Sequence, residues 1–327
     1  MIHLLQPPNA ATVSLQSKEQ ITYIVKCNDC IASDVDWRNV TQTTDTDCTF
    51  PAPVIFTWQA EDAAQLQISS SKNFDTLIRS ITAYGRAEVY NLQIGFTYYW
   101  RVICGNEVSD VYSFSTEDRV PRWIYINGTT NVRDIGGWKT VDGKHIRQGM
   151  LYRGSSMGVA GTFNMDSIIE LRDFLGVRTD LDLRGEVVGQ LYQSPLGGDV
   201  TLHLVPISSY SEMFKDTTPL PVIFCLLADC ANYPIYFHCV AGADRTASLA
   251  AMIEALCGVS DADMDLDYEL TSLSIWGERS RMGEGWQSFM NELKMYGKTR
   301  HEQVRAFLRH AGVTDETMDR IVEILVE

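Results

Sequence analysis

Cys239 is followed by five residues and then by Arg245, within the run His238-Cys239-Val240-Ala241-Gly242-Ala243-Asp244-Arg245-Thr246. A loop of this length can curl so that successive backbone amides face inward as an anion nest, and a helix starting near Arg245 aims its positive end at the same point. Sulfur at the base of such a loop feels the same dipoles, so the Cys239 thiol is expected to ionise well below a free thiol and to attack at neutral pH. Arg245 supplies a planar fork that grips two oxygens of one tetrahedral anion, which a lysine does not do. His238 is expected to orient the loop through backbone hydrogen bonds, Gly242 allows a turn that a side chain would block, and the Thr246 hydroxyl is placed to stabilise sulfur as a leaving group. These parts suit transfer of a phosphoryl group from a phosphomonoester to Cys239 and then to water, with no metal and no other cofactor. The amides of Val240, Ala241, Gly242, Ala243 and Asp244, together with Arg245, form the expected phosphate-binding set.

Hydrolysis also needs an acid for the leaving oxygen and a base for the attacking water. Asp182 and Asp244 are the candidates. Asp182 falls near the carboxyl end of a predicted strand, the edge at which open α/β sheets bind ligands. Asp244 sits beside the Arg245 fork, where a paired carboxylate stays ionised, which suits a base or a loop organiser. Asp182 is therefore the preferred acid.

The loop needs a strand before it and a helix after it, and the surrounding sequence supplies both. Pro234-Ile235-Tyr236-Phe237 is a short apolar run, and the apolar stretch from Arg245 through Cys257 ends at Gly258. Upstream, residues 166–175 read as a helix closed by Gly176, and the alternating run Val177–Leu183 reads as a strand. Ser260 with Asp263 three residues on marks another helix start, and residues 286–296, 301–310 and 315–325 carry helical periods. Alternating strands and helices predict an α/β domain with a mostly parallel sheet flanked by helices over residues 119–327.

Residues 1–118 have a different rhythm. Short β-rich runs such as Val54–Trp58, Ala64–Ser69 and Thr97–Ile103 alternate with turn residues, which predicts an all-β sandwich. In the last run Tyr98, Trp100 and Val102 share one face. Trp58, the segment QISSSKNF at 67–74 and the strand TYYWRV at 97–102 make this half similar to a fibronectin type III (Ig-like) module. That resemblance implies a spacer or a module that docks a protein partner, and no chemical site. The polar stretch Ser115–Pro121 places the boundary between the halves at 118/119.

The loop HCVAGADRT, with NVRDIGG at 131–137, DGKHIRQGMLYRGSS at 142–156 and DLR at 182–184, resembles the atypical bacterial tyrosine or dual-specificity phosphatases, whose loop reads HCxAGKDRT. The resemblance spans about 122–327 and implies a cysteine-dependent, metal-independent phosphatase acting on a phosphorylated protein or small phosphomonoester. Ala243 stands where many relatives carry a lysine associated with phosphoinositides, and loss of that charge favours aryl phosphates such as phosphotyrosine over polyanionic lipids. Arg133, Asp134, Arg153 and Arg184 fall within these motifs. Surface ion pairs or strand-end hydrogen bonds are the first expectation for them, with Arg153 or Arg184 the ones placed to touch substrate.

The chain has 327 residues, 45% hydrophobic and 21% charged, with a formal net charge of -15. Both halves are acidic, which excludes nucleic acid as a partner and requires any phosphate site to create its own positive field. No run approaches the length of a membrane span, and the N-terminus shows no secretory signal, so a cytoplasmic protein is expected. Of eight cysteines, Cys104, Cys225 and Cys257 lie in apolar runs, as small hydrophobes do. Cys27 and Cys30, with Cys48 and Cys104, are weighed as a metal or disulfide group and set aside, since no second pair matches the first. The alternatives to a protein phosphatase are a phosphoinositide or inositol-phosphate phosphatase, a phosphate-recognition module without turnover, and thiol redox or sulfur-transfer chemistry on Cys239.

Overall fold

The computed structural model describes residues 2–33, 47–185 and 193–327, with only the backbone described at 29–33. The chain divides into two compact units, one of Met1–Ser17 with Pro51–Trp123 and one of Lys18–Phe50 with Ile124–Glu327. The division is thus not a single cut at 118/119. Residues 18–50 leave the first unit and belong to the second.

The first unit holds strands β1 (His3–Gln6), β2 (Ala11–Val13), β3 (Val54–Gln59), β4 (Ala64–Ser69), β5 (Leu77–Ala83), β6 (Arg86–Val89), β7 (Thr97–Cys104), β8 (Glu107–Val108), β9 (Tyr112–Thr116) and β10 (Arg122–Trp123). One sheet runs β1-β3-β6 and another β2-β9-β7-β4-β5, with β8 on β7. Period-2 alternation sends Val54, Phe56 and Trp58 of β3 and Tyr98, Trp100 and Val102 of β7 into one shared core. Phe56 packs edge-on against Trp100 at 5.1 Å between centroids, a favoured aromatic geometry.

Helix α1 (Lys18–Ser33) corrects the expectation of β structure alone across residues 1–118. Gln20, Tyr23 and Cys27 are buried at the i, i+3, i+7 spacing of one helix face. The β-branched residues Ile21, Thr22, Ile24 and Val25 between them disguise that stripe as strand composition.

In the second unit, strands β11 (Arg133–Asp134), β12 (Leu151–Gly154), β13 (Thr179–Asp182), β14 (Thr201–Leu204) and β15 (Ile235–His238) lie in the order β11-β12-β15-β13-β14. The β11–β12 pairing is antiparallel and those of β12, β15, β13 and β14 are parallel. Strand β15 is flanked on both sides and buried throughout, as parallel strands are. Its last residue, His238, pairs with Gly154 and with Asp182, so three strand ends converge at one edge.

The segment at 165–174 is one turn of α2 (Met165–Ile168) continued by a π-helical stretch at Ile169–Phe174; Gly176 follows at φ +72°. Helix α3 spans Leu220–Leu227. Helix α4 (Arg245–Cys257) is buried at every position from Thr246 onward and closes on Gly258 in the left-handed region, as a helix apolar all round must be. Helices α5 (Asp261–Glu269), α6 (Glu284–Lys294), α7 (Arg300–His310) and α8 (Asp315–Leu325) complete the unit. Among the described residues, no helix is long and apolar enough to cross a membrane.

Arg133 and Arg153 face each other across β11 and β12, and both are fully buried. Directly opposed like charges are destabilising. Asp267 of α5 resolves the conflict, since it accepts from Arg133 Nε at 2.6 Å and from Arg153 Nη1. Burial pushes the Asp267 carboxyl up, yet the two guanidiniums outweigh it and hold the group below the usual carboxylate range. Burial and the Arg153 charge together bring Arg133 down to about 10, where it remains a cation at neutral pH. Asp267→Ala leaves two buried cations uncompensated and is expected to cost about 3–5 kcal/mol, read as a lower urea midpoint of the second unit's unfolding.

Candidate active site

The loop at 239–244 is shaped by what grips its carbonyls. Ser156 N–H donates to the Val240 carbonyl at 3.0 Å, and Asn131 Nδ2 donates to Ala241 at 3.3 Å and to Gly242 at 3.1 Å. Arg153 Nη2 donates to the Gly242 carbonyl at 3.0 Å, and His238 Nδ1 lies 3.2 Å from the Cys239 carbonyl. With the carbonyls drawn outward, the peptide planes turn their amides toward the loop's centre. Among the described residues, no backbone carbonyl accepts from the amides of 240–244. Amides without backbone partners ahead of a helix N-terminus are what an anion nest requires.

Gly242 sits at φ +66°, and a Cβ there would lie 2.4 Å from the carbonyl carbon of Gly154 and 2.7 Å from Ser155 N. Backbone, not a yielding side chain, fills that space, so only glycine fits the turn.

Cys239 is 3% exposed. Burial pushes its thiol up, but hydrogen bonds from the Thr246 hydroxyl and amide, the Arg245 charge and the Gly242 amide together hold it below a free thiol. The Thr246 hydroxyl is buried and meets no hydrogen-bond partner among the described residues, so a charge on the neighbouring sulfur is what it can serve. Arg245, half-buried at the start of α4, faces the Leu183 carbonyl at 3.5 Å. Among the described residues, no carboxylate pairs with it. Ala243 is fully buried, and Val240 is 41% exposed.

His238 is buried, with Nε2 3.0 Å from Asp180 Oδ1 and Nδ1 4.0 Å from Asp182 Oδ1. Burial opposes a charge on the ring, but the Asp180 hydrogen bond and the two carboxylates outweigh it and raise its pKa. Its two ring nitrogens thus face Asp180 and the Cys239 carbonyl.

Asp182 stands at the strand end as expected, buried and paired with Arg184. Its oxygens accept from Arg184 Nε at 2.8 Å and Nη2 at 2.6 Å, and from the Arg184 amide at 2.9 Å. Burial pushes the carboxyl up, while Arg184 and the His238 charge bring it below the usual carboxylate range. Arg184 itself is raised by that pair and feels the Cys239 charge as well, which places it near the sulfur. Arg153, expected at the surface or on substrate, is instead buried beneath the loop. Asp134, expected in a surface pair, is buried and accepts from the amides of Gly136 and Gly149.

Asp244 does not pair with Arg245 as its neighbourhood in the sequence suggests. Arg279 Nε donates to its Oδ1 at 2.8 Å and the Tyr210 hydroxyl to the same oxygen at 2.5 Å. Asn131, Ser156, Tyr210 and Arg279 were not legible as site residues. Asn131 lies within the NVRDIGG motif, the one signal that could have found it, whereas Tyr210 and Arg279 arrive from segments with no pattern of their own.

Cys27 and Cys257 are buried, Cys48 and Cys104 half-buried, and Cys225, expected to be buried, is exposed; none of these is in a disulfide. The Cys30 side chain lies outside the described residues. Among the described residues, no cluster of three or more His, Cys, Asp or Glu side chains is placed to hold a metal ion.

The tyrosine phosphatase family matches residues 124–327, more than half of the chain. The chain belongs to the tyrosine phosphatase family. A Cupriavidus necator protein named as a tyrosine-protein phosphatase is 23% identical over 165 residues, covering 42% of this chain and 59% of that protein. The chain thus spans less than two thirds of that relative's length. The core catalytic domain of the PP-IP phosphatase SIW14 from S. cerevisiae, solved with citrate, aligns at a TM-score of 0.33 and 21% identity over 43% of this chain and 78% of that one.

Two outcomes test the electrostatics. Iodoacetamide labelling of Cys239 is expected to titrate below a free thiol, and Thr246→Val to move that midpoint up; an unshifted midpoint in the variant contradicts the role of the hydroxyl. The raised His238 pKa contributes stability that is full below about 6.5, the ordinary histidine value, and is lost as pH rises through the folded value. His238→Asn should flatten that decline in thermal midpoints taken from acid to alkaline pH.

Proposed function

We propose that the second unit is a cysteine-dependent, metal-independent phosphomonoester hydrolase acting on protein phosphotyrosine, with dual specificity within its reach. The observation that carries this reading is a buried Cys239 at the base of a loop whose carbonyls are tethered by Ser156, Asn131 and Arg153, next to an Arg245 fork that no described carboxylate occupies. In the first step Cys239 Sγ attacks phosphorus, the P–O bond to the leaving group breaks, and the leaving oxygen takes a proton. In the second step water attacks phosphorus, the S–P bond breaks, and the thiolate returns to the hydrogen bonds of Thr246.

Proton transfer is assigned to Asp244 rather than Asp182. Asp182 is buried, whereas the Asp244 side chain is 37% exposed and part of the phosphate loop. The buried, uncharged Ala243 and the exposed apolar Val240 beside the nucleophile favour an aryl ester over a polyanionic headgroup. The fibronectin type III-like resemblance of the first unit supports a docking role for it, with no part in the chemistry.

Cys239→Ser is expected to abolish hydrolysis of p-nitrophenyl phosphate in chelator-treated buffer while inorganic phosphate still binds; retained turnover in that variant overturns the mechanism. Across a substrate panel, kcat/KM for a phosphotyrosine peptide should exceed those for phosphoserine peptides and phosphoinositide vesicles by at least about tenfold, a difference of roughly 1.4 kcal/mol in transition-state binding. Phosphoinositide leading that panel overturns the substrate class.

A further inference from the structure

Asp244 is held from two directions by residues outside the phosphate loop. Its Oδ1 accepts the Tyr210 hydroxyl at 2.5 Å and Arg279 Nε at 2.8 Å, while Oδ2 meets only Arg279 Nη2, at 3.3 Å. Oδ1 is therefore saturated by two short bonds, and Oδ2 is the oxygen left to exchange a proton. The asymmetry is built from several elements. Tyr210 takes a left-handed backbone conformation, φ +53°, which is an outlier for a bulky residue. Its amide is anchored on Ser248 Oγ of α4 at 3.0 Å. Gly285 at the start of α6 makes room for its ring, since a Cβ there would lie 2.8 Å from the ring carbons. The Tyr268 hydroxyl is 2.8 Å from that of Tyr210, and the Tyr268 ring stacks on Trp286 at 4.1 Å.

Arg279 is fixed as firmly. Its amide donates to Ser272 Oγ at 2.8 Å, and the Ser272 hydroxyl donates back to the Arg279 carbonyl at 2.9 Å. A strained backbone held in place by surrounding structure is a recurring feature of functional sites. Nothing in the packing of α4 or α6 alone requires the phenol of Tyr210 to meet the loop carboxylate.

We propose that Tyr210 and Arg279 are positioning residues for proton transfer, clasping Asp244 by Oδ1 so that Oδ2 faces the leaving oxygen and then the attacking water. The inference rests on the phosphatase reading above. In the first step the proton passes from Oδ2 to the leaving oxygen as the P–O bond breaks and the S–P bond forms. In the second, water gives its proton to Oδ2 as its oxygen bonds to phosphorus and the thiolate leaves, which restores the starting state. Burial, the neighbouring Tyr268 and the Asp244 carboxylate push the Tyr210 phenol far above its ordinary range, so it remains a donor at every working pH.

The test is the dependence of rate on leaving group. A positioned acid matters most for a poor leaving group and least for one that departs as a stable anion. In Tyr210→Phe and, separately, Arg279→Gln, kcat for phenyl phosphate is expected to fall by about 10- to 100-fold, part of the 10²–10⁴ that a general acid supplies. That for 2,4-dinitrophenyl phosphate should fall less than about threefold, with vanadate inhibition unchanged. In an Asp244→Asn background either substitution should add no further loss on phenyl phosphate, since residues acting through one group are not additive. Equal losses on both esters, or full additivity with Asp244→Asn, overturn the positioning role while leaving the phosphatase intact. Absence of wild-type turnover on both esters instead brings down the underlying reading, and this inference with it.

Discussion

The Gly242 carbonyl accepts from both Asn131 and the buried Arg153 guanidinium, and the rest of the site hangs on that double anchor. A peptide plane has two ends. Fixing the oxygen outward against a buried cation fixes the following amide inward, and the same logic runs through the tethered carbonyls of Cys239, Val240 and Ala241. The anchor also explains why the turn tolerates no side chain, because the loop must press onto the Gly154–Ser155 backbone for Arg153 to reach it. The inward field created in this way is local, and it operates in a chain whose net charge of -15 repels phosphate at long range.

Burying Arg133 and Arg153 side by side is costly, and the compensation defines the centre of the second unit. Asp267 neutralises one charge, and Glu254 of α4 is also fully buried in the same network. Burial and the Asp267 charge push the Glu254 carboxyl up. Buried charge of this kind contributes little to stability compared with an apolar core. Its value here is positional, since the Arg153 guanidinium, held by Asp267 through Nη1, turns Nη2 onto the Gly242 carbonyl.

Much of this was legible in the sequence. The Cys239–Arg245 spacing, the strand before it, the apolar helix after it and the left-handed Gly258 all follow from local pattern, because one short segment carries every part. The strand ends at Asp182 and His238 were legible for the same reason. What failed was everything that depends on a partner distant in the chain. Asp244 read as the neighbour of Arg245 when its charge partner is Arg279. Arg153 carries the charge of a surface residue and the burial of a core one, which no periodicity reports. Helix α1 was missed because its buried positions among the described side chains are a glutamine, a tyrosine and a cysteine set among β-branched residues.

That helix bears on where the catalytic unit begins. Tyr23 donates to the Glu269 carbonyl at 2.9 Å, and Cys48 N–H donates to the Leu273 carbonyl at 2.8 Å. Thr49 Oγ1 accepts the Asn131 amide at 3.0 Å and donates to Asp47 at 2.6 Å. Asn131 itself is buried at φ +60°, so its backbone is held out of the ordinary regions by these contacts while its side chain grips Ala241 and Gly242. A fragment beginning at 119 keeps every residue of the HCVAGADRT loop and loses the acceptor that orients Asn131. A buried amide without a partner costs about 1–3 kcal/mol, and here the residue that bears the cost also holds the phosphate loop. Helix α1 and residues 47–50 therefore belong with the second unit, although they precede most strands of the first in the sequence.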